Sequence, residues 1–307
     1  MARATTTSAS NGSLHAARAA KNDEFYTQLT DVEKELRHYR AHLKGKVVFC
    51  NCDDPQWSAF WKFFTLNFER LGLKKVIATH YSPGRSSYKL EYFGQDRLIE
   101  TPLLGDGDFR SEECVSLLNE ADVVVTNPPF SLFREYVAQL VEHGKSFLII
   151  GNSNAITYKE TFRLIQANAL WLGLTKPKEF RQPDGTVKLF GNICWYTNLL
   201  HNRRNEELAV FRMYSGNESS YPRYDNYEAI EVSKVADIPA DYEGVMGVPI
   251  TFLDKYNPEQ FEVIWTTDRG GDGKLEHLKK PHSRFDAPVL NGAGLYKRIF
   301  IKRKATA

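Results

Sequence analysis

The tetrapeptide Asn127-Pro128-Pro129-Phe130 combines residue types that could activate an exocyclic amino group on an aromatic ring. The lone pair of such a nitrogen is delocalised into the ring, and it becomes nucleophilic only when acceptors hold both N–H bonds. The Asn127 side-chain oxygen and the Pro128 carbonyl can supply these acceptors, and the two prolines fix the backbone in advance. Phe130 offers a flat face to a base flipped out of a duplex. This chemistry needs no metal and no covalent nucleophile.

The position of the tetrapeptide supports this interpretation. It directly follows the apolar run DVVVT at residues 122–126, and ligands of α/β sheets bind beyond the carboxyl ends of strands. The alternative is a Pro-Pro turn that ends a strand, with Asn127 in a local hydrogen bond. Placement after an apolar strand favours the catalytic interpretation.

The surrounding pattern alternates between short apolar runs and helical stretches. The apolar runs are VVFC (47–50), KVIAT (75–79), DVVVT (122–126) and FLIIG (147–151), and helical periodicity covers residues 29–42, 60–71, 112–118, 133–141 and 160–168. Runs that are apolar on both faces are typical of parallel strands covered by helices. The sequence therefore predicts an α/β fold with a mostly parallel, doubly wound, Rossmann-like sheet.

Three regions are expected along the chain. Residues 1–20 lack periodicity and predict a flexible leader, and residues 21–202 carry the alternating pattern of a catalytic core. Residues 203–307 are rich in Tyr, Asn, Pro and Gly, with strand-like pieces at 262–266 and 298–301. We assign this last part to a target-recognition region packed on the core.

Composition sets the outer bounds. The 307 residues carry a net charge of +2 and four cysteines, without the paired Cys or His spacing of a zinc site. No run reaches the roughly 18 apolar residues of a membrane span, and the N-terminus lacks an apolar signal core. We therefore expect a cytoplasmic protein that does not contact a membrane, and we expect a monomer.

Charge is distributed unevenly near the C-terminus. Residues 216–262 hold ten acidic and three basic side chains, whereas residues 270–307 hold nine basic and three acidic ones. A basic segment interleaved with aromatic residues can contact phosphates, although a solvated tail is the alternative. The candidate phosphate contacts are Lys279, Lys280, Arg284, Lys297 and Arg298.

Several motifs together resemble the EcoRI-type adenine-specific DNA methyltransferases. They are KNDEFYTQ (21–28), CNCDDP (50–55), GDGDF (105–109), NPPF (127–130) and FGNICWYTN (190–198). The similarity extends over residues 17–302. It implies a methyltransferase fold, S-adenosylmethionine as the methyl donor, and transfer to N6 of an adenine in double-stranded DNA. It also implies a possible functional link to a cognate restriction endonuclease.

The resemblance also implies a set of cofactor contacts. These would come from Phe25, Tyr26, Thr27, Asn51, Asp53, Asp54, Pro55, Asp106, Asp108, Phe109 and Asn127. A carboxylate of Asp53 or Asp54 suits the cofactor ammonium, although Asp53 could instead cap the next helix. The GDGD turn could be simply solvated, and the Phe25-Tyr26 pair could be a core staple. After the second strand, Thr79 and His80 occupy the usual place of a ribose-binding acid.

Phe190 and Asn192 resemble residues that line the target-base pocket, and aromatic core packing is the alternative for Phe190 and for the nearby Trp195. Two other functions use the same tetrapeptide or fold. One is methylation of an RNA base or a protein glutamine, and the other is catalytically silent DNA binding. The intact NPPF argues against the silent protein. The 21–28 motif and the long C-terminal region favour DNA over RNA or glutamine.

Overall fold

A computed structural model describes residues 26–85, 87–181, 185–267 and 287–304. The predicted leader and four predicted site residues, Phe25, Lys279, Lys280 and Arg284, lie outside these ranges. The described residues divide into two compact units. The first contains residues up to Ala155 and Leu172–His201, and the second contains Ile156–Trp171 and residues from Asn202 onward. Which region catalyses and which recognises the target stays a prediction.

The first unit is built on one large mixed sheet. Its strands, together with those of a smaller sheet, are β1 (Tyr26–Thr27), β2 (Val47–Cys50), β3 (Lys75–Thr79), β4 (Tyr88–Tyr92), β5 (Leu98–Pro102), β6 (Val123–Thr126), β7 (Ser146–Asn152), β8 (Trp171–Leu172), β9 (Glu179–Arg181), β10 (Val187–Leu189) and β11 (Ile193–Thr197). Within the described ranges, eight of these form the large sheet in the order β5-β4-β3-β2-β6-β7-β11-β8. The protein therefore has a mixed α/β fold.

The centre of this sheet agrees with the sequence prediction. Strands β2, β3, β6 and β7 run parallel, and β2 pairs with β3 on one side and with β6 on the other. The β2, β3 and β6 strands are buried along their whole lengths, as expected for runs of branched apolar residues. Because the chain turns in opposite directions on the two sides of β2, the carboxyl ends of these strands form a switch point where ligands can bind.

The expectation of a mostly parallel sheet is wrong at both edges. Strands β4 and β5 pair antiparallel beside β3, and β11 pairs antiparallel with β7. The β4–β5 hairpin was not predicted because it lacks a continuous apolar run. In β4 only Leu90 is buried, and most of β5 is exposed.

The helices of the first unit are α1 (Leu29–Leu36), α2 (Ala59–Leu66), α3 (Phe68–Leu71), α4 (Glu112–Glu120) and α5 (Phe133–Glu142). Helix α1 ends earlier than the predicted residue 42, because the amides of His38 and Tyr39 bond three residues back to Glu35 and Leu36. A separate 3-10 turn follows at Arg40–His42. The stretch predicted as one helix at 60–71 is two helices, because Asn67 leaves the helical conformation between them.

A small antiparallel sheet of β1, β9 and β10 lies apart from the large sheet within the first unit. Its register pairs Tyr26 with Arg181 and pairs Arg181 with Val187. On the opposite face, Phe180 is fully buried in the hydrophobic core of the unit. Residues of β9 therefore alternate between the core and solvent, as expected for strands with one solvated face.

The second unit contains helix α6 (Lys159–Gln166) and the strands β12 (Ile230–Glu231), β13 (Met246–Pro249), β14 (Phe261–Thr266), β15 (Val289–Leu290), β16 (Ala293–Gly294) and β17 (Arg298–Arg303). Among its described residues, four strands form a sheet in the order β12-β13-β17-β14. The strands predicted at 262–266 and 298–301 are thus confirmed as β14 and β17. Phe162 of α6 packs edge-on against Trp265 of β14, with ring centroids 5.2 Å apart.

Candidate active site

A cavity of about 240 Å³ lies where strands β2, β3 and β6 end. It is the place at which the parallel order reverses, so three separate loops contribute to its walls. The lining residues are Tyr26, Cys52, Asp53, Asp54, His80, Tyr81, Ser82, Pro83, Asn127, Pro128, Pro129 and Phe130. Seven of the predicted site residues, Tyr26, Asp53, Asp54 and the whole NPPF tetrapeptide, therefore meet at one cavity.

The loop after β2 presents two carboxylates. Asp53 is almost fully buried and accepts a weak hydrogen bond from the Ser58 hydroxyl at 3.4 Å. Ser58, and not Asp53, is the N-cap of α2, because its side chain accepts from the Trp61 amide. The alternative role of Asp53 as a helix cap is therefore wrong, and its carboxylate lies at the cavity. The predicted contacts Asn51 and Pro55 are buried beside this loop but do not line the cavity.

The Asp54 carboxylate is oriented by groups from three segments. Its Oδ1 accepts from the Gln56 amide at 2.9 Å and from the Tyr88 hydroxyl at 3.2 Å. The His80 Nε2 lies 4.0 Å from the other carboxylate oxygen. Burial, reinforced by the negative charge of Asp54, raises the pKa of Tyr88 to about 12. Tyr88 therefore remains a hydrogen-bond donor at physiological pH, and it fixes one side of the carboxylate.

The cysteines near the cavity are poor nucleophiles. Burial, with a further contribution from the charge of Asp53, raises the pKa of both the Cys50 and the Cys52 thiols. Only the thiolate is reactive, so neither sulfur is suited to covalent catalysis at neutral pH. Burial also raises the pKa of Tyr136, whose hydroxyl donates to the Asn51 side-chain oxygen and holds the loop after β2.

The NPPF tetrapeptide extends from the end of β6 into the cavity wall. Asn127 and Pro128 are buried, whereas Pro129 and Phe130 are partly exposed. Pro129 has the extended backbone angles φ −56° and ψ 123°, and a 3-10 turn at Phe130–Leu132 leads into α5. Phe130 packs partly on the hydrophobic core while it lines the cavity. Two carbonyl-type acceptors, the Asn127 side chain and the Pro128 backbone, thus belong to a rigid wall.

The GDGDF motif lies behind the cavity wall and does not line it. It follows the antiparallel edge strand β5. Asp106 accepts from the Asp108 amide in a local turn, and its carbonyl accepts from the amide of the lining residue Ser82 at 2.7 Å. A Cβ at Gly107 would lie 2.0 Å from the His80 carbonyl oxygen. The motif therefore supports the wall at His80–Ser82.

Two of the predicted cofactor contacts in this motif, Asp108 and Phe109, have partners within the protein. Asp108 forms a two-pronged ion pair with Arg110, at 2.9 Å and 2.6 Å, and hydrogen bonds from Arg110 hold the pKa of that carboxyl below its usual value. Phe109 is buried, with its ring 5.1 Å from that of Tyr136. Both side chains thus have partners inside the protein, and their contact with the cofactor stays a prediction.

The predicted target-base residues lie away from the described cavity lining. Phe190 is 3% exposed and packs edge-on against Phe180 at 5.4 Å, and Trp195 is fully buried against Phe60. The carbonyl of Asn192 accepts from the Ser153 amide at 2.7 Å, which ties the start of β11 to the end of β7. Core packing, the alternative for both aromatic rings, is what the structure shows.

Of the predicted C-terminal phosphate contacts, two lie in described residues. The Lys297 amine donates to the Thr157 hydroxyl at 3.0 Å. Arg298 pairs with the buried carboxylate of Glu231 at 2.7 Å. Burial lowers the pKa of the Arg298 guanidinium, but the hydrogen bond and the charge of Glu231 outweigh this effect and raise that pKa. Arg298 is therefore a structural ion pair within the second unit, contrary to the expected phosphate contact, because breaking such a pair would leave Glu231 buried and uncompensated.

Sequence reasoning missed five residues at or beside the cavity. Cys52, Tyr81, Ser82 and Pro83 line it, and Tyr88 contacts Asp54. The signal for Tyr81–Pro83 was available, since they follow the end of β3 as Asp53 follows β2. Tyr88 carried no signal, because it comes from the unpredicted strand β4. In the part of the chain that is described, no cluster of His, Cys, Asp or Glu is arranged to hold a metal ion, and no helix is long and apolar enough to cross a bilayer.

Comparison with known proteins gives consistent results. The family described as "Adenine-specific methyltransferase EcoRI" matches residues 13–304. The Type II methyltransferase M.EcoRI of Escherichia coli is 46% identical, with 96% of this chain and 98% of that protein covered. M.MpnI of Mycoplasma pneumoniae is 44% identical over 81% and 83% of the two chains, and M.MgeORF184P of Mycoplasma genitalium is 36% identical over 94% and 98%. No solved structure gives a significant match.

Proposed function

The chain belongs to the EcoRI family of adenine-specific methyltransferases, and from this premise we propose that it transfers a methyl group to N6 of adenine in double-stranded DNA. The observation that carries the proposal is the joining of NPPF and the Asp53-Asp54 carboxylates at one cavity beyond β2 and β6. One wall offers acceptors for an amino group, and the other offers charges for a cationic cofactor.

We propose S-adenosylmethionine as the methyl donor, and the donor set of the cavity fits it. Asp53 and Asp54 can hold its ammonium group, and the rings of Tyr26 and Tyr81 offer faces for its apolar parts. When bound, the cofactor supplies a methyl group on a positively charged sulfur, which requires no activated water. Asp106, Asp108 and Phe109 would then contribute indirectly, because their loop packs against the cavity wall at His80–Ser82 and holds it in place.

The catalytic work of the protein is to prepare the amino nitrogen. The Asn127 side-chain oxygen and the Pro128 carbonyl accept its two N–H groups, which draws the lone pair out of conjugation with the ring. These acceptors also stabilise the positive charge that develops on nitrogen as the new N–C bond forms. Because Asn127 and Pro128 are buried and rigid, little reorganisation is needed during the reaction. After transfer the nitrogen carries a positive charge, and it becomes neutral by releasing its extra proton to water.

The base must be flipped out of the duplex to reach this cavity, and the partly exposed ring of Phe130 suits stacking on it. We propose that residues 21–202 catalyse the reaction and that residues 203–307 recognise the surrounding sequence, with Lys279, Lys280, Arg284 and Lys297 as phosphate contacts. Phe190 and Asn192 would act by shaping the sheet beside the site. A cognate restriction endonuclease would be the functional partner of the enzyme.

The proposal is tested with tritiated S-adenosylmethionine offered with duplex DNA, total RNA and protein in parallel reactions. We expect label in DNA alone, since label in RNA or protein would establish one of the alternative substrates. Asn127→Ala should lower the single-turnover rate by on the order of 10² to 10³, because one preorganised acceptor is removed, and should leave cofactor affinity nearly unchanged. Asn119→Ala, at an exposed position on α4, is the control. A near-normal single-turnover rate in Asn127→Ala would overturn the assignment.

A further inference from the structure

A second cavity, of about 320 Å³, shares the Tyr26 wall with the candidate active site. All of its lining residues belong to the first unit. They are Tyr26, Thr27, Gln28, Leu29, Trp57, Ala59, Lys62, Arg181 and Gly185. The two cavities therefore share one tyrosine as a lining residue, so a group held in the second lies near the candidate active site.

The register of the small sheet places a guanidinium beside this tyrosine. Tyr26 of β1 pairs directly with Arg181 of β9, and Arg181 pairs with Val187 of β10. Side chains of directly paired residues lie on the same face of a sheet. The neighbouring row contains Phe180, which is buried in the core, so the row of Tyr26, Arg181 and Val187 faces outward.

The charge of this second cavity is of one sign. Lys62 and Arg181 are its charged lining residues, and both are exposed. Among the described residues, neither has a carboxylate within salt-bridge distance. Two cations that lack a counter-charge among the described residues, around a concave surface, favour an anionic occupant.

An unusual aromatic residue lies at the same place. The Trp57 side chain is 69% exposed, although tryptophan is among the residues that are most buried on average. It comes from the turn between the cofactor-facing carboxylates and α2. Cations combined with an exposed aromatic ring are the usual means by which proteins hold a nucleic-acid strand.

We propose that this cavity binds the backbone of the DNA strand that carries the target adenine, next to the flipped nucleotide. Lys62 and Arg181 contact its phosphates, and Trp57 packs on an adjoining sugar or base. This inference rests on the proposed function, and it adds a DNA contact within the first unit to those expected near the C-terminus. Phosphate contacts set position without reading sequence, so the role of this site is to hold the strand while the base occupies the neighbouring cavity.

The test uses the full-length protein and one fluorescent duplex, with affinity measured by anisotropy across a salt series. Lys62→Gln and Arg181→Gln should each weaken binding several-fold and lower the slope of log affinity against log salt by about 0.9, which is the contribution of one phosphate contact. Trp57→Ala should weaken binding and leave the slope unchanged, because stacking releases no counterions. Lys74→Gln changes an exposed lysine at the amino end of β3, opposite the strand ends that line the candidate active site, and should behave as wild type.

Cofactor affinity, measured by calorimetry with S-adenosylhomocysteine, should be unchanged in all four variants. The proposal is overturned if Lys62→Gln and Arg181→Gln keep the wild-type affinity and salt slope. It is also overturned if they weaken cofactor binding and leave the DNA slope unaltered, since the anion would then be the cofactor carboxylate. If either result is obtained and the wild-type protein methylates DNA, the proposed phosphate site is refuted and the proposed function is not. Failure of the wild type to methylate any DNA refutes the proposed function instead.

Discussion

Replacement of Gly107 by alanine should damage the proposed cofactor site from a position outside it. Gly107 has φ +79°, and its Cα faces the carbonyl oxygen of His80, which lines the cavity. A methyl group there would lie 2.0 Å from that oxygen, against the 3.0 Å below which real Cβ contacts essentially never occur. The loop and the cavity wall must therefore separate by about 1 Å or more.

The magnitude has two parts. The left-handed backbone disfavours alanine by about 1 to 2 kcal/mol, and the forced overpacking adds about 1 to 3 kcal/mol. Gly45→Ala isolates the first part, because Gly45 has a similar φ of +73° and no atom within 4 Å of the added Cβ. We expect Gly107→Ala to be the less stable of the two by about 1 to 3 kcal/mol in urea unfolding.

Cofactor binding gives the more specific readout. We take the overpacking cost as about 3 kcal/mol and assume that half of it is relieved by displacement of the wall at His80. The ligand must reverse this displacement when it binds, and 1.4 kcal/mol corresponds to a factor of ten, so affinity for S-adenosylhomocysteine should fall about tenfold. Gly45→Ala, before the amino end of β2 and thus away from the strand ends that line the cavity, should bind as wild type. Equal stability of the two variants, with normal cofactor affinity in Gly107→Ala, would refute the claim that the GDGDF loop supports the cavity.

Three further outcomes are expected. EDTA should leave methylation unchanged, because a sulfonium donor needs no Lewis acid, and a loss of activity that a divalent ion restores would contradict this. Glu35→Ala should lower the free energy of unfolding by about 3 to 5 kcal/mol. The reason is that the buried carboxylate accepts from the Tyr39 hydroxyl, the Leu174 amide and the Thr175 amide. Glu33→Ala, at an exposed position on the same helix, should lower it by less than about 0.5 kcal/mol. Substitution of both Lys279 and Lys280 by Gln should lower the salt dependence of DNA binding and leave cofactor affinity unchanged, and an unaltered salt slope would instead indicate a solvated tail.

The sequence predicted the centre of the fold because apolar strands buried on both faces leave a continuous pattern. Strands β2 and β3 begin and end where the runs VVFC and KVIAT do, and β6 begins one residue later than its run. The edges were harder to predict. Antiparallel β4 and β5 are half-buried or exposed, so burial imposed no apolar run on them.

In the candidate site, too, some residues could be predicted from the local sequence and others could not. Asn127 was predicted because it directly follows a recognisable strand, whereas Asp54 was predicted because the segment after β2 resembles a cofactor loop of the family. Asp108 was also predicted as a cofactor contact, but Arg110, two residues later, satisfies its carboxylate within the turn. Local sequence does not reveal such a competing partner. Arg298 is a similar case, since its buried partner Glu231 lies 67 residues away along the chain.

Transfer to N6 of adenine, with Asn127 as the preorganised acceptor, is tested by the identity of the methylated nucleoside. Unmethylated plasmid DNA is incubated with the enzyme and S-adenosylmethionine, digested to nucleosides and analysed by mass spectrometry, with the Asn127→Ala protein alongside. We expect N6-methyladenine as the new nucleoside with the wild type and a yield at least on the order of 10² lower with the variant at matched early times. Formation of a methylated cytosine, or of N6-methyladenine at equal rates by both proteins, would contradict it.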